Sequence, residues 1–135
     1  LGDRADAALR APLGIRSLAP SEPAYRGDYD GDRRSRDGAY HQGLGWLWLI
    51  GPWADALLAL HDLDKADERA AAVEALTAAL APYRAHLREA GVGTISENAT
   101  GDAPHRPVAC FAQAWSVSEL LRIERRLAAL STPSR

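Results

Sequence analysis

The sequence is poor in sulfur and in phenylalanine. Its 135 residues include one cysteine, Cys110, one phenylalanine, Phe111, and no methionine. A single thiol excludes an internal disulfide and favours a reducing compartment, so a cytoplasmic location is expected. Charge of one dominant sign is also lacking. The formal net charge is -2, which gives no electrostatic basis for partnership with nucleic acid or an anionic membrane. No hydrophobic run is long. Leu44 to Trp53 is interrupted by Gly45, Gly51 and Pro52 and is too short to span a bilayer. There is no His-x-x-x-His pair, no His-Glu-x-x-His helix and no second cysteine, so neither a metal nor another cofactor is expected. Gly43-Leu-Gly45 lacks the third glycine and preceding strand of a phosphate loop. Cys110, ahead of an apolar segment, reads as a small packed hydrophobe rather than a nucleophile. Asn98-Ala99-Thr100 fits a glycosylation pattern, but in a chain with this cysteine usage it reads as a chance match.

What is present is an ordinary globular balance, 47% hydrophobic and 25% charged residues, with length for one domain. The pattern is helical. Asp3 to Leu9 suggests a short helix, ending near residue 11. Residues 12–39 read as a long loop rich in Gly, Pro, Asp, Arg and Tyr, long enough to require a function or a packing partner. Residues 40–62 read as a helix, with Trp46, Leu49, Ile50, Trp53, Leu57 and Leu60 at helical spacing. Pro52 must kink it or open a fresh first turn. A second, Pro82-kinked helix is expected over 67–90, with Val73, Leu76, Leu80, Tyr83 and Leu87 inward. Gly91 and Gly93 supply its stop signal. Residues 91–108 form a polar loop. A third helix is expected over 109–130, with Phe111, Ala114, Val117, Leu121 and Leu127 inward. No strand-like alternation is visible, so the expected class is all-α. The Trp-bearing helix is apolar on every side, and three helices cannot enclose one of their own number. With a chain that begins at Leu1, this predicts a piece of a larger assembly.

Two polar segments draw attention. Gly93 to Pro107 carries Glu97, Asp102, His105 and Arg106 between helices, where sites tend to be built. A nearby cation would hold a carboxylate ionised, as a general base requires. Asp102 is equally a turn residue after Gly101. Asp37, Tyr40, His41 and Gln42 lie at the entry to the Trp segment. The choice of four Trp against one Phe suits stacking on sugar rings, with polar groups on the hydroxyls.

These residues carry a resemblance. Tyr40-His-Gln-Gly-Leu-Gly-Trp-Leu-Trp-Leu-Ile-Gly-Pro52 resembles the Tyr-His-Gln-Gly-x-x-Trp-x-Trp-Leu-Ile-Gly-Pro motif of glycogen debranching enzymes, in their C-terminal amylo-α-1,6-glucosidase domain. Gly91-Val-Gly-Thr-Ile-Ser-Glu97, Gly101-Asp-Ala-Pro-His-Arg-Pro107 and Ala112-Gln-Ala-Trp-Ser-Val117 resemble that family's final block. Pro12-Leu-Gly-Ile-Arg-Ser-Leu18 resembles its Leu-Gly-Leu-Arg-Thr-Leu segment. The motifs occur in the family's order. Departures are Leu44-Gly45 where the family usually has Thr-Val, Leu47 in place of Pro, and Asn98-Ala99 in place of a bulky apolar pair.

The resemblance implies an (α/α)6 toroid, of which this chain would supply only the terminal helical hairpins. It implies an inverting hydrolase that removes α-1,6-linked glucose from a branched α-glucan, glycogen or limit dextrin. Glu97 falls on the general-base position. Tyr40, His41, Gln42 and Trp46 fall on the segment lining the glucose pocket, and Asp102, His105 and Trp115 fall near the base. The family's general acid lies upstream of the first motif, so the chain alone is expected to be inactive. The remainder of the toroid, or a self-association partner, is expected to cover its apolar faces. Two other readings remain open: a non-catalytic helical module that binds glucan or a protein, and a glucoamylase-like hydrolase of different linkage preference.

Overall fold

The structure is a computed structural model that describes residues 7–131. Residues 3–6 of the helix expected at Asp3 to Leu9 lie outside the described residues; residues 7–9 are helical. Three longer helices make the frame: α2 (Ile50–Ala59), α3 (Ala66–Glu89) and α4 (Ala114–Ser131). A short helix, α1 (Arg33–Ala39), precedes them. The class is largely helical but not plainly all-α, because a small sheet is present. Strands β1 (Ile15–Arg16), β2 (Gly45–Trp46), β3 (Asn98–Ala99) and β4 (Pro107–Val108) form one antiparallel sheet in the order β1-β2-β3-β4. Strands of two residues are too short to show alternation in sequence, which is why none was visible.

The helix expected over 40–62 is four structures. Residues 40–43 turn, β2 follows, and a 3-10 turn at Leu47–Leu49 leads into α2. Gly43 has φ +137°, a conformation closed to side-chain-bearing residues in a helix. Pro52 is the third residue of α2, inside the first turn, where its missing N–H leaves no helical bond unmade. The loop expected over 12–39 contains β1 and α1. The Asp32 side chain caps α1 by accepting from the Ser35 N–H at 2.8 Å.

Helix α3 runs unbroken through Pro82. Its inward stripe, Ala72, Leu76, Ala79, Leu80, Tyr83 and His86, repeats at three- and four-residue intervals. Asp67 and Glu68 in its first turn favour the positive end of the helix dipole. Its C-terminus closes with Gly93 at φ +84°, whose N–H donates to the Leu87 carbonyl at 2.8 Å.

Helix α4 begins at Ala114, five residues later than the periodicity suggested. Its buried face is Ser116, Leu120, Ile123 and Leu127. Phe111 and Leu121, both expected inward, are 74% and 55% exposed. Ala109 lies at φ +61°, outside any right-handed helix, so the stripe fails at its start, whereas Val117 and Leu127 face the core as expected. Helix α4 packs against α2, α3 and the 3-10 turn. Leu47, Leu58, Leu76, Leu80 and Ile123 are at most 2% exposed, each contributing about 1.5–3 kcal/mol on burial. On the polar side, Asp55 accepts from Arg122 and Arg126, and Arg84 makes a two-pronged bond to Glu124 at 2.7 and 2.8 Å. Among the described residues no helix is long and apolar enough to cross a membrane.

Candidate active site

The sheet brings the two polar segments together. Trp46 pairs with Asn98 and Gly45 with Ala99, while the Leu47 N–H donates to the Glu97 carbonyl at 3.2 Å. On the other side, Asn98 pairs with Val108 and Ala99 with Pro107. That register, continued, would set Ser96 against Cys110. Instead the Glu97 N–H donates to the Cys110 carbonyl at 2.8 Å. The ladder slips by one residue, with Ala109 in the left-handed region. A bulge of this kind re-aims the side chains beside it, and Glu97 faces an open cleft.

That cleft, about 410 Å³, is lined by Tyr29, Asp37, Tyr40, Glu97, Ala109 and Cys110. The Glu97 carboxylate accepts from Gln113 Nε2 at 3.0 Å. The Tyr40 hydroxyl lies near the same carboxylate, and burial, followed by its interaction with that carboxylate and the carboxylate's charge, holds the Tyr40 phenol well above its ordinary range. Tyr29 stacks at a tilt on Tyr40, with ring centres 5.9 Å apart. Cys110 is exposed rather than packed, with Sγ 3.5 Å from the Ala112 carbonyl oxygen.

A second cleft, about 370 Å³, is lined by Ser17, His41, Trp46, Trp48, Leu49 and Trp115. His41 stacks flat on Trp46 at 5.0 Å, and Tyr40 meets the edge of the Trp46 system at 5.0 Å. Tyr40 thus lines the first cleft and touches two aromatic residues, His41 and Trp46, that line the second. Trp48 and Trp115 stack at 5.5 Å, with Trp115 45% exposed.

The other nominated residues lie elsewhere. Gln42 lines a separate cleft with Tyr25, Arg26 and Gly38. Asp102 Oδ1 accepts from the Tyr25 hydroxyl at 2.8 Å, which, with burial as the larger cause, raises the Tyr25 pKa. His105 places Nδ1 3.1 Å from the Thr100 carbonyl oxygen and stands at φ +58°. Asp102 and His105 thus shape the turn between β3 and β4. Arg106 pairs with Asp30 at 3.0 Å rather than with Glu97. Gln113 and Tyr29 were not nominated from the sequence. Gln113 stood inside a quoted motif, but its amide gains a meaning only once Glu97 is placed beside it. Among the described residues no three His, Cys, Asp or Glu side chains cluster as metal ligands would.

The site thus combines a loop-borne carboxylate, its amide donor and a flanking aromatic cleft. Residues 2–122 match the family model described as amylo-alpha-1,6-glucosidase, and the chain belongs to that family. It is also similar to the glycogen debranching enzyme of Saccharomyces cerevisiae, at 41% identity over 63 residues. That alignment covers 42% of this chain and 4% of the yeast protein, so the chain corresponds to a small part of that relative's length.

Proposed function

We propose that this chain supplies the general-base half of a glycoside hydrolase site. It acts on α-1,6-linked glucose at branch stubs of an α-glucan, with inversion. The observation that carries the reading is the placement of Glu97, half-buried in the lining of an open cleft, held by an amide donor and close to the Tyr40 hydroxyl. Glu97 would take a proton from the water that attacks the anomeric carbon. Inversion requires a second carboxyl roughly 6.5–9.5 Å away, across the sugar. Asp102 is held by Tyr25, so we assign the acid to a segment outside this chain, in a helical toroid that these helices help to close. Tyr40, His41, Trp46 and Trp115 would contact the sugar from the two neighbouring clefts. We read the setting as cytoplasmic, the substrate as glycogen-like and the isolated chain as inactive.

The test is Glu97→Gln in the complete protein, assayed for glucose release from a branched limit dextrin. Loss of a base of this kind costs about 10²–10⁴-fold in rate, with glucan binding retained. Turnover within a few-fold of the parent protein refutes the assignment. The exposed Trp48–Trp115 stack favours, as a second reading, glucan binding without chemistry. In that case Trp115→Ala abolishes glycogen-dependent quenching of Trp fluorescence while Glu97→Gln changes nothing.

A further inference from the structure

We infer that Gln113 is a positioning residue for Glu97, one that sets the orientation of the carboxylate without touching the substrate. The inference rests on the reading of Glu97 as the base. Gln113 is itself fixed at two backbone points. Its N–H donates to the Ile95 carbonyl at 2.8 Å, and its carbonyl accepts from the Val117 N–H at 3.1 Å, closing the first turn of α4. The residue therefore stands as the cap of an 18-residue helix. Its side chain turns away from the helix and gives Nε2 to Glu97 Oε1 at 3.0 Å. The amide can face only one way. With its oxygen toward the carboxylate, two acceptors would oppose each other, and only the NH₂ group bonds an ionised acid.

The geometry has a mechanical consequence. Glu97 sits where the β3–β4 register slips, so regular strand pairing does not define the direction of its side chain. A carboxylate on such a backbone needs side-chain partners to hold one rotamer. Gln113 supplies one from the helix frame, and the Tyr40 hydroxyl lies near the same carboxylate. A bond that occupies Oε1 leaves the other oxygen to meet a water. A base held this way loses rate, not affinity, when the bond is removed, because proton transfer depends on alignment.

The experiment compares Gln113→Leu, Gln113→Asn, Glu97→Gln and the double variant Gln113→Leu/Glu97→Gln in the complete protein, with branched limit dextrin as substrate. Gln113→Leu is expected to lower kcat about 10–100-fold, the range of a lost hydrogen bond to a charged group, with KM within twofold. Gln113→Asn, too short to reach, should be equally impaired. The double variant should be no slower than Glu97→Gln alone, since residues acting as one unit are not additive. Three results overturn the inference: full kcat in Gln113→Leu while Glu97→Gln is dead; a fall in kcat matched by a rise in KM and a fall in Tm, the mark of a merely structural role; or a double variant slower by the product of the single effects. Near-full turnover in Glu97→Gln overturns the base assignment itself, and with it this inference, so the two failures are told apart by that variant alone.

Discussion

His86 joins helix α3 to the segment before β3 that carries Glu97, and it makes this segment sensitive to acid. The side chain is 4% exposed, and its Nε2 accepts from the Ser96 N–H at 3.1 Å. This requires the neutral ring with its proton on Nδ1. Burial lowers the His86 pKa below the ordinary histidine range, and the nearby Glu89 charge opposes this only in part. In the unfolded chain the group titrates near 6.5. Below that pH the unfolded state binds more protons than the folded one, so stability rises with pH through this window. The contribution is whole above about pH 6.5 and is lost as pH falls toward the folded-state pKa. Protonation also removes the acceptor, leaving a buried N–H unpaired at a cost of about 1–3 kcal/mol. His86→Leu imposes that loss at every pH. For a chain of this size about 1 kcal/mol moves Tm by about 3–5 °C, so the variant should melt about 3–15 °C below the parent at pH 7.5. The assay is thermal unfolding by circular dichroism from pH 8 to pH 5, with amide exchange at Ser96 as a local probe. The gap between the two proteins should narrow below pH 6.5, because only the parent loses this contribution. A gap that stays constant across the range, or Ser96 exchange unchanged by the substitution, refutes the reasoning.

Tyr83→Phe removes a buried hydroxyl that donates to the Leu47 carbonyl at 3.1 Å; a loss of about 0.5–1.5 kcal/mol is expected in urea unfolding, and an unchanged midpoint counts against it. Asn98 is fully buried, with neither side-chain atom in a hydrogen bond, so Asn98→Val, which suits a strand, should gain about 1 kcal/mol; a lower Tm speaks against that account. A Cβ at Gly101 would stand on the Gly43 carbonyl oxygen and within 2.5 Å of the Tyr25 hydroxyl. Gly101→Ala should therefore cost about 1–3 kcal/mol and loosen the Tyr25–Asp102 bond, read as faster amide exchange at Gly101, whose N–H donates to Gly27; parental exchange with parental Tm would show that the backbone yields freely. Arg84→Ala and Glu124→Ala form a double-mutant cycle across a pair that is 40% and 31% exposed, and the coupling should stay below about 1 kcal/mol; a larger value would show that the pair is more desolvated than its exposure indicates.

Periodicity was a good guide only where one face of one element is buried. Helix α3 has that simple environment: of its expected stripe, Leu76, Leu80 and Tyr83 are in the core and Val73 and Leu87 pack against it. The Trp segment does not. Leu44, Trp46 and Leu47 are buried because a strand and a tight turn pass through the middle of the fold, and burial on both sides mimics an all-apolar helix. The start of α4 was misplaced because a positive φ at Ala109 has no signature when the residue is alanine. Glu97 and Tyr40 could be nominated from motifs. Their meeting in one cleft, and the arrival of Gln113 beside them, depend on a slip in strand register that no local pattern encodes.

The sheet that departs from the all-helical expectation is also where the family motifs sit. Strand β1 lies in Pro12 to Leu18, β2 in Tyr40 to Pro52, and β3 and the first residue of β4 in the block from Gly91 to Pro107. Segments far apart in sequence thus meet backbone to backbone. Glycines permit the approach: a Cβ on Gly14 would lie 2.8 Å from the Gly45 carbonyl carbon, and one on Gly45 would lie 2.7 Å from the Leu13 carbonyl oxygen, closer than real Cβ atoms pack. The helices bury the apolar area that stabilises the fold, while the sheet registers the polar segments against one another. Helical spacing therefore reports the frame, and the short glycine-bearing motifs report the site. A substitution that disturbs a helix face should lower stability with the site geometry intact, whereas one at Gly14, Gly45 or Gly101 should move Glu97 relative to Tyr40 even when the helices survive.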